Sequence, residues 1–433
     1  VELLLPLFNS LIQKSITIDY VRDASFLLGC IAIALVVGIA SGSYPAFFLS
    51  AFDPARVLKG TLNSRLGVIG IRKTLVVAQF AVAIALILST VVIQNQLGYV
   101  RNKKLGFEKD NIVVIPISEV SLQKQHEIFK NELLQNPSIL NVSAASGTPF
   151  DGGSIAAFHG SRLHIKIVDY DYIPTLQIEL TQGRNFVATD TAAFILSETV
   201  INMMEWDDSL GKTFATGVSN MRYNSGTVIG VIKDFNANSL HRAIEPIALQ
   251  FSPDMFTVFL VKIRTENIPA TLDFLKQKWL AFVPNHPFEY SFLDDEFDKL
   301  YRSEQQLGKI FGYFSFLAIL ISCLGLFGLT AFAVERRTKE IGIRKALGAS
   351  VANILFLLSK DFMKLVILAN LMAWPVAYVA MQSWLQKFAY RIEIGSWMFL
   401  AAGGLVLIIA LIAVSFQTIK AAVTNPVESL RYE

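Results

Sequence analysis

The sequence predicts an α-helical membrane protein with five transmembrane helices and an inserted α+β extracytoplasmic domain. Two properties of the 433 residues lead to this fold class: apolar residues make up 53% of the chain, and charged residues only 17%. Soluble chains are nearer to a quarter charged, so the shortfall indicates membrane-spanning segments. A third observation is that charged and polar residues return over one long stretch, residues 94–309, which indicates a water-facing domain.

Five windows of the chain contain no Asp, Glu, Lys or Arg over 20 residues or more. Crossing the roughly 30 Å hydrocarbon core takes about 20 helical residues, so each window predicts a transmembrane helix. The alternative is a set of buried helices in a large soluble core, which five such windows in one chain disfavour. The windows are Phe26–Leu49, Thr74–Ile93, Ile310–Ala333, Leu365–Trp384 and Trp397–Gln417.

The loops between the predicted spans differ in their content of Lys and Arg. The segments 51–73 and 334–364 are richer in basic residues than the 385–396 loop, and the tail after Gln417 adds two more. Because basic loops stay on the cytoplasmic side, these segments and the C-terminus are expected in the cytoplasm, and residues 94–309 outside it. The first span then begins from an N-terminus outside the cytoplasm, which suggests that further spans precede it.

Short matches between the two ends of the chain indicate an internal duplication. Leu11–Lys14 resembles Trp384–Lys387, and Phe26-Leu27 matches Phe399-Leu400 at the same offset. A Pro-x-x-x-Leu-basic pattern also follows the first and the last span. We expect the first span to end an earlier repeat that is largely missing, and the other four spans to form one complete repeat.

Within residues 94–309, short strand-like runs alternate with amphipathic stretches, which favours an α+β fold. The pattern predicts helices over Val120–Gln135 and Ile268–Val283, and a helix over Glu296–Gln306 that continues into the next span. The predicted strands are Ile112–Ile117, Ile139–Ser143, His164–Val168, Ala193–Leu196, Thr227–Ile232, Ile247–Phe251, Thr257–Ile263 and Phe288–Leu293.

The residues offer little for catalysis or cofactor binding. Gly211-Lys212-Thr213 resembles the end of a phosphate-binding loop, but Trp206 stands where that loop needs a glycine. The five histidines show no metal-ligand spacing, and Asp294–Glu296 suits the acidic start of a helix. We therefore expect a non-catalytic chain with no cofactor and no metal. A formal net charge of +3 gives no reason to expect nucleic acid as a partner.

The stretch Glu335–Ser350 combines basic residues with isolated apolar residues and two glycines. Any cytoplasmic loop would carry the basic residues. The apolar residues Ile341, Ile343 and Leu347 instead favour a surface that docks a protein partner, with an apolar centre inside a charged rim. The residues expected to take part are Arg336, Arg337, Lys339, Glu340, Ile341, Gly342, Ile343, Arg344, Lys345, Leu347 and Gly348.

The same stretch, Arg-Arg-x-Lys-Glu-Ile-Gly-Ile-Arg-Lys-Ala-Leu-Gly-Ala-Ser, resembles the signature of FtsX-like permeases of ABC transporters. Elsewhere, Gly183–Phe186, Leu210–Thr213 and Val228–Phe235 are similar to the MacB-like periplasmic domain of that family. The resemblance implies that Glu335–Ser350 faces a cytoplasmic ABC ATPase, expected as a dimer on a separate chain.

The resemblance also implies how the chain is divided. Residues 1–60 would end a first repeat with its last transmembrane helix, and 61–93 would form a cytoplasmic linker and the first helix of a second repeat. Residues 94–309 would form the periplasmic domain, and 310–433 a three-helix transmembrane domain with the coupling loop 334–364.

The function implied is that of a permease subunit in the bacterial inner membrane. It would couple ATP hydrolysis to motion of the periplasmic domain, for export or mechanotransmission. Its expected partners are the ATPase, the lipid bilayer and a periplasmic adaptor or substrate. The alternative is a membrane signalling or regulatory subunit that controls a periplasmic enzyme such as a cell-wall hydrolase.

Overall fold

The computed structural model describes residues 24–50, 65–117, 119–151, 153–217 and 224–423, together with Pro6 and Asn9. The chain divides into two compact units. We call Val1–Ile93, Gln306–Met381 and Ile394–Glu433 the helical unit, and Gln94–Gln305 with Gln382–Glu393 the sheet unit. The repeat matches at Leu11–Lys14 and after Pro54 and Pro426 lie outside the described residues.

The elements of the described residues are as follows. The helices are α1 (Ala24–Ser50), α2 (Arg65–Asn102), α3 (Val120–Lys124), α4 (His126–Leu133), α5 (Tyr172–Leu176), α6 (Glu198–Met203), α7 (Ile268–Phe282), α8 (Leu293–Lys299), α9 (Arg302–Arg336), α10 (Thr338–Ala346), α11 (Val351–Leu385) and α12 (Ser396–Val423). The strands are β1 (Ile112–Pro116), β2 (Ile139–Ala145), β3 (Ser154–Phe158), β4 (Ser161–Val168), β5 (Leu180–Gly183), β6 (Ala193–Ser197), β7 (Thr213–Ala215), β8 (Ser225–Ile232), β9 (Ile247–Phe251), β10 (Val258–Ile263) and β11 (Ser291–Phe292).

All five predicted spans fall on long helices: α1, α2, α9, α11 and α12. Within the described residues, three segments are long and apolar enough to cross a membrane, namely Gly70–Asn102, Arg302–Arg336 and Ser396–Lys420. The predicted spans on α1 and α11 are helical, and that they cross the membrane stays a prediction. Three crossings of the predicted five therefore have support in the structure.

Polar side chains of the helical unit lie where two helices approach each other. The Thr90 hydroxyl of α2 is 3.4 Å from the Ser315 hydroxyl of α9. Asn370 of α11 is buried, and a Cβ at Gly403 of α12 would collide with its amide oxygen. Small residues and hydrogen-bonding side chains at such contacts are typical of helix packing in membranes.

The sheet unit is organised around one mixed sheet of eleven described strands. The strand order is β11-β1-β10-β2-β4-β9-β6-β8-β5, with β3 paired to β4 and β7 paired to β8. The pairs β4–β9 and β6–β8 are parallel, and the other pairs are antiparallel.

Both faces of this sheet are covered by apolar residues. Along β1, Val113 and Ile115 join one core cluster while Ile112 and Val114 join the other, because side chains of a strand alternate between its faces. The helix residues of the first cluster include Phe129, Leu133, Leu275 and Trp279, and those of the second include Tyr172, Leu176 and Leu293.

Two lysines of the sheet unit are buried. Lys130, 2% exposed, lies 2.5 Å from an Asp169 oxygen and 2.7 Å from an Asp171 oxygen. Burial alone would lower the pKa of Lys130, but the two carboxylates outweigh it and raise that pKa. Lys166, 3% exposed, donates to the Thr148 carbonyl at 3.0 Å and to the Asp151 carbonyl, and burial lowers its pKa to about 8.

Seven of the eight predicted strands are confirmed, with small changes at their ends. The exception is Phe288–Leu293, which contains only the short β11 because Leu293 begins α8. The predicted helix Val120–Gln135 is broken at Gln125, between α3 and α4. The His126 ring lies 2.9 Å from the Gln123 carbonyl, a group that a continuous helix would bond to a later backbone N–H.

The predicted helix Glu296–Gln306 is also interrupted, between α8 and α9. The break occurs at Leu300 and Tyr301, in a turn. Tyr301 is 1% exposed, and its hydroxyl accepts a hydrogen bond from Leu240 N at 2.6 Å. The prediction of one unbroken helix from the domain into the third span was therefore wrong, because burial of this tyrosine is a tertiary effect.

Candidate docking site

The predicted coupling loop 334–364 is mostly helical. α9 ends at Arg336, α10 occupies Thr338–Ala346, and α11 begins at Val351. Four residues, Leu347–Ser350, form the corner between α10 and α11. The segment is thus a short helix held next to two long ones.

The corner after α10 has the hydrogen bonds of a Schellman motif. Gly348 adopts a φ of +89°, its N–H donates to Lys345 O at 3.0 Å, and Ala349 N donates to Arg344 O at 2.9 Å. Glycine suits this position because other residues are strained at positive φ. The Ser350 hydroxyl then accepts a 3.3 Å hydrogen bond from the first turn of α11, which fixes the start of that helix.

The three apolar residues of the signature do not share one face of α10. Ile341 is 8% exposed and packs with Ile354 and Leu358 of α11. Ile343 and Leu347 are 52% and 82% exposed. Ile341 therefore holds α10 to α11, and only Ile343 and Leu347 are free to form the apolar centre of a docking surface.

The charged residues of the site make contacts of their own. Glu340 and Arg344 form a 2.7 Å ion pair along α10, and Arg337 lies 3.3 Å from an Asp361 oxygen. Arg336 stacks over the Phe332 ring at 4.7 Å. Exposed pairs of this kind contribute about 0–1 kcal/mol to folding, so their charges can be redirected to a partner at little cost.

The remaining predicted site residues are placed as follows. Gly342 is buried, Lys345 is half-buried, and the side chain of Lys339 lies outside the described residues. The structure thus brings together Ile343 and Leu347 beside the Glu340–Arg344 pair, and it assigns Ile341 and Gly342 to the packing side of the helix.

The sequence motifs of the sheet unit take ordinary structural roles. Gly211, with a φ of +79°, forms a turn just before β7, and Asp294–Glu296 lies in the first turn of α8. No group of three His, Cys, Asp or Glu side chains that could hold a metal occurs among the described residues. Four histidines instead lie within 3.4 Å of a glutamate, in the pairs His126–Glu127, His164–Glu245, His241–Glu304 and His286–Glu119.

The class of protein is indicated by the C-terminal region. Residues 312–426, which include α10, match the family model described as FtsX-like permease C-terminal. The resemblance found in the signature of α10 is therefore confirmed over this segment.

One curated relative that the chain matches is also named a permease. The chain is 33% identical over 129 residues to the "Uncharacterized ABC transporter permease YknZ" of Bacillus subtilis strain 168. The match covers 29% of this chain and 31% of the relative, so the chain spans about a third of that relative's length.

The solved structures that match part of the chain include two domains from transport proteins. The periplasmic region of MacB from Actinobacillus actinomycetemcomitans is 15% identical, over 47% of this chain and 98% of that chain, with a TM-score of 0.32. The extracellular domain of the noncanonic ABC-type transporter YknZ from Gram-positive bacteria is 16% identical, over 42% and 97%, with a TM-score of 0.29.

Proposed function

We propose that this chain is the permease subunit of an ABC transporter, and that it couples ATP hydrolysis by a separate cytoplasmic ATPase to motion of the sheet unit outside the cytoplasm. The single observation that carries the proposal is the exposure of Ile343, on α10, and of Leu347, the residue that follows the end of α10. The permease match over residues 312–426 supports it, because the exposed pair lies inside that segment.

The pair Ile343 and Leu347 has the geometry of a docking centre. Leu347 N donates to Ile343 O at 3.0 Å, so the helical turn continues through Leu347. Residues four apart on a helix lie on the same face, which places the two exposed side chains on one side of the turn. Burying an Ile or Leu side chain contributes about 1.5–3 kcal/mol, so the two residues can supply the apolar centre of a larger interface. The Glu340–Arg344 ion pair supplies the polar rim that surrounds the centre of a typical interface.

The corner between α10 and α11 gives this surface a fixed orientation. Ile341 is packed against α11, and Gly348 closes α10 with two defined hydrogen bonds. A rigid docking helix loses little conformational entropy when a partner binds. Because α10 is packed against α11, a displacement of α10 by the partner would also displace α11. The basic segments around it favour a cytoplasmic position for α10 and the C-terminus, with five spans in the chain.

The test compares two Ile→Asp variants of the full-length permease, purified from native membranes with any ATPase that binds it. Ile343→Asp places a charge in the apolar centre, and we expect the co-purified ATPase to fall by at least about tenfold. The matched control is Ile155→Asp, since Ile155 is 59% exposed on β3 of the sheet unit. The control should retain the ATPase and its hydrolysis rate.

A second variant, Leu347→Asp, protects the result against an effect specific to one position. Both α10 variants should reach wild-type levels in the membrane, because neither residue is buried in the chain itself. The proposal fails when both α10 variants keep a wild-type ratio of ATPase to permease.

A further inference from the structure

The segment Gln382–Glu393 connects α11 to α12 in the sequence, but it does not cluster with the bodies of those helices. It belongs to the sheet unit, together with Gln94–Gln305. The contacts that hold it there come from two distant parts of the sheet unit: the end of α2 and the connection between β8 and β9.

The first contact is a double hydrogen bond from Gln96 of α2. Its Nε2 donates to Tyr390 O at 2.9 Å, and its Oε1 accepts from Ile392 N at 2.9 Å. Gln96 is 0% exposed. Loss of either bond would leave buried polar groups without partners, so the amide fixes the backbone of the segment in one position.

The second contact is made by the backbone that follows β8. Ala389 N donates to His241 O at 3.2 Å, and Tyr390 N donates to Leu240 O at 3.3 Å. The His241 ring also stacks on Phe388, with ring centroids 4.0 Å apart. The segment is therefore held on one side by a helix and on the other by the β8–β9 connection.

The same histidine reaches the residues that lead into α9. Its ring stacks on Tyr301 with centroids 5.8 Å apart, and its Nε2 lies 3.4 Å from a Glu304 oxygen. Tyr301 in turn accepts the hydrogen bond from Leu240 N. Leu240 and His241 thus contact both the turn between α8 and α9 and the 382–393 segment.

We propose that this cluster, which we name the Gln96–His241 clamp, is a positioning element that couples α11 to the sheet unit. α11 is a 35-residue helix that runs from Val351 to Leu385. Its first turns pack against Ile341 of α10, and its C-terminal end leads directly into the clamped segment. A helix transmits displacement only when both of its ends are held, and the structure holds both.

The proposal rests on the proposed function, since it assigns the clamp to the path between a docked ATPase and the sheet unit. The covalent connections through α2 and α9 can carry motion without it. The clamped segment adds two further connections, through α11 and toward α12, and of these α11 is the helix that begins at the docking corner.

The first arm of the test measures the clamp itself by hydrogen exchange of the full-length permease in lipid nanodiscs without ATPase. A peptide containing Ala389, Tyr390 and Ile392 reports the three amides that the clamp protects. In Gln96→Leu, which keeps the bulk and removes both hydrogen bonds, these amides should exchange at least about tenfold faster. In Gln94→Leu, an exposed glutamine on the same helix, they should exchange as in wild type.

The second arm measures ATP hydrolysis by the co-purified ATPase at equal occupancy of the permease. Gln96→Leu should retain the ATPase and change its turnover by at least about threefold, whereas Gln94→Leu should not change it. Hydrolysis takes place across the membrane from the clamp, so a merely structural role of Gln96 would leave it unchanged. His241→Ala, which removes the ring on Phe388, should act like Gln96→Leu.

The outcomes separate the clamp from the proposed function. If the three amides exchange at the wild-type rate in both Gln96→Leu and His241→Ala, the clamp does not hold the segment and the proposal is overturned. If exchange is faster but ATP turnover stays at the wild-type rate, the clamp positions the segment without coupling it to the ATPase, and the proposal is also overturned.

A wild-type permease that binds no ATPase refutes the proposed function and the coupling role, while the exchange arm still decides whether the clamp exists. Unchanged exchange in β1 and β9 verifies that each variant is folded.

Discussion

Helix α10, for which a docking role is proposed, and the sheet unit place their apolar and charged residues in opposite ways. Ile343 on α10 and Leu347 just after it are exposed, and the Glu340–Arg344 ion pair lies at the surface. The sheet unit buries a lysine and an aspartate, Lys130 and Asp169, at 2% and 1% exposure. A residue whose contacts are complete within the chain stabilises the fold, whereas an exposed apolar residue on a rigid helix is available to a partner. The difference predicts which substitutions affect stability and which affect binding.

The largest effect on stability is expected from Asp169→Ala. Its carboxylate accepts hydrogen bonds from Lys130 Nζ, Ser143 Oγ and Ala144 N. Removal of one partner of a buried ion pair costs about 3–5 kcal/mol. The loss is expected near the lower end of this range, because Lys130 keeps the Asp171 carboxylate at 2.7 Å. Pulse proteolysis of the full-length permease in urea should show this loss in the free energy of unfolding of the sheet unit.

The control for that prediction is Glu179→Ala, which breaks a surface ion pair with Lys233 in the same unit. Both of these residues are exposed, so the urea midpoint should not move measurably. Equal shifts of the midpoint in Asp169→Ala and Glu179→Ala would contradict the distinction between the buried and exposed pairs.

The second effect is a pH dependence caused by Lys166, whose pKa falls from 10.5 to about 8 on burial. Between those two pH values the unfolded chain binds a proton that the folded chain does not, so stability rises with pH through that window. A shift of this size corresponds to about 3 kcal/mol. Below pH 8 the lysine is protonated in both states, and its contribution no longer changes.

The measurement is the free energy of unfolding from pH 7 to pH 11, for wild type and Lys166→Met. Subtraction of the two curves removes the contribution of all other groups. The difference should rise by about 3 kcal/mol across the window, since each pKa unit is worth about 1.4 kcal/mol. A flat difference curve would show that Lys166 does not titrate in this way.

The third prediction compares two isoleucines that lie two positions apart on α10. Ile341→Ala removes buried contacts with α11 and should cost about 2 kcal/mol, seen as a lower Tm of the purified permease. Ile343→Ala removes no contact of this kind, so its Tm should stay at the wild-type value while ATPase binding weakens. An equal loss of Tm in both variants would mean that Ile343 is also a packing residue.

The smallest effect is expected from Gly348→Ala. No atom lies within 4 Å of the position that a Cβ would occupy, so the cost comes only from the positive φ of +89°. Such backbone strain costs about 1 kcal/mol and should loosen the corner between α10 and α11. We expect a small decrease in Tm together with weaker ATPase binding, and an unchanged Tm would show that the corner tolerates the side chain.

The sequence predicted most of the long strands, but not the described strands β3, β5 and β7. Ile247–Phe251 coincides with β9, a short and mostly apolar run that lies between Pro246 and Ser252-Pro253. The docking signature was found from charges and apolar residues at short spacing. The interruption at Tyr301 was missed because it depends on contacts with distant residues. The separation of Ile341 from Ile343 follows from local helical geometry, since residues two apart face different sides, and it was missed because the segment was treated as a loop.

The Gln96–His241 clamp illustrates why the remainder could not be predicted. Gln96 and Tyr390 are 294 residues apart, and a glutamine near the end of an apolar helix is usually taken as the edge of a span. Its role is visible only once the 382–393 segment is seen to fold with the sheet unit. The order of the eleven strands depends in the same way on long-range pairing.

The central claim, that the exposed face of α10 docks an ATPase, is tested most directly by photocrosslinking in intact cells. A benzophenone amino acid is placed at position 347, which is 82% exposed, and in a separate variant at position 155 on β3. The account predicts that position 347 is crosslinked to a protein with an ABC-type ATP-binding domain, identified by mass spectrometry, and that position 155 is not. Crosslinks from position 347 to lipid alone, or an ATPase crosslinked equally at both positions, would contradict it.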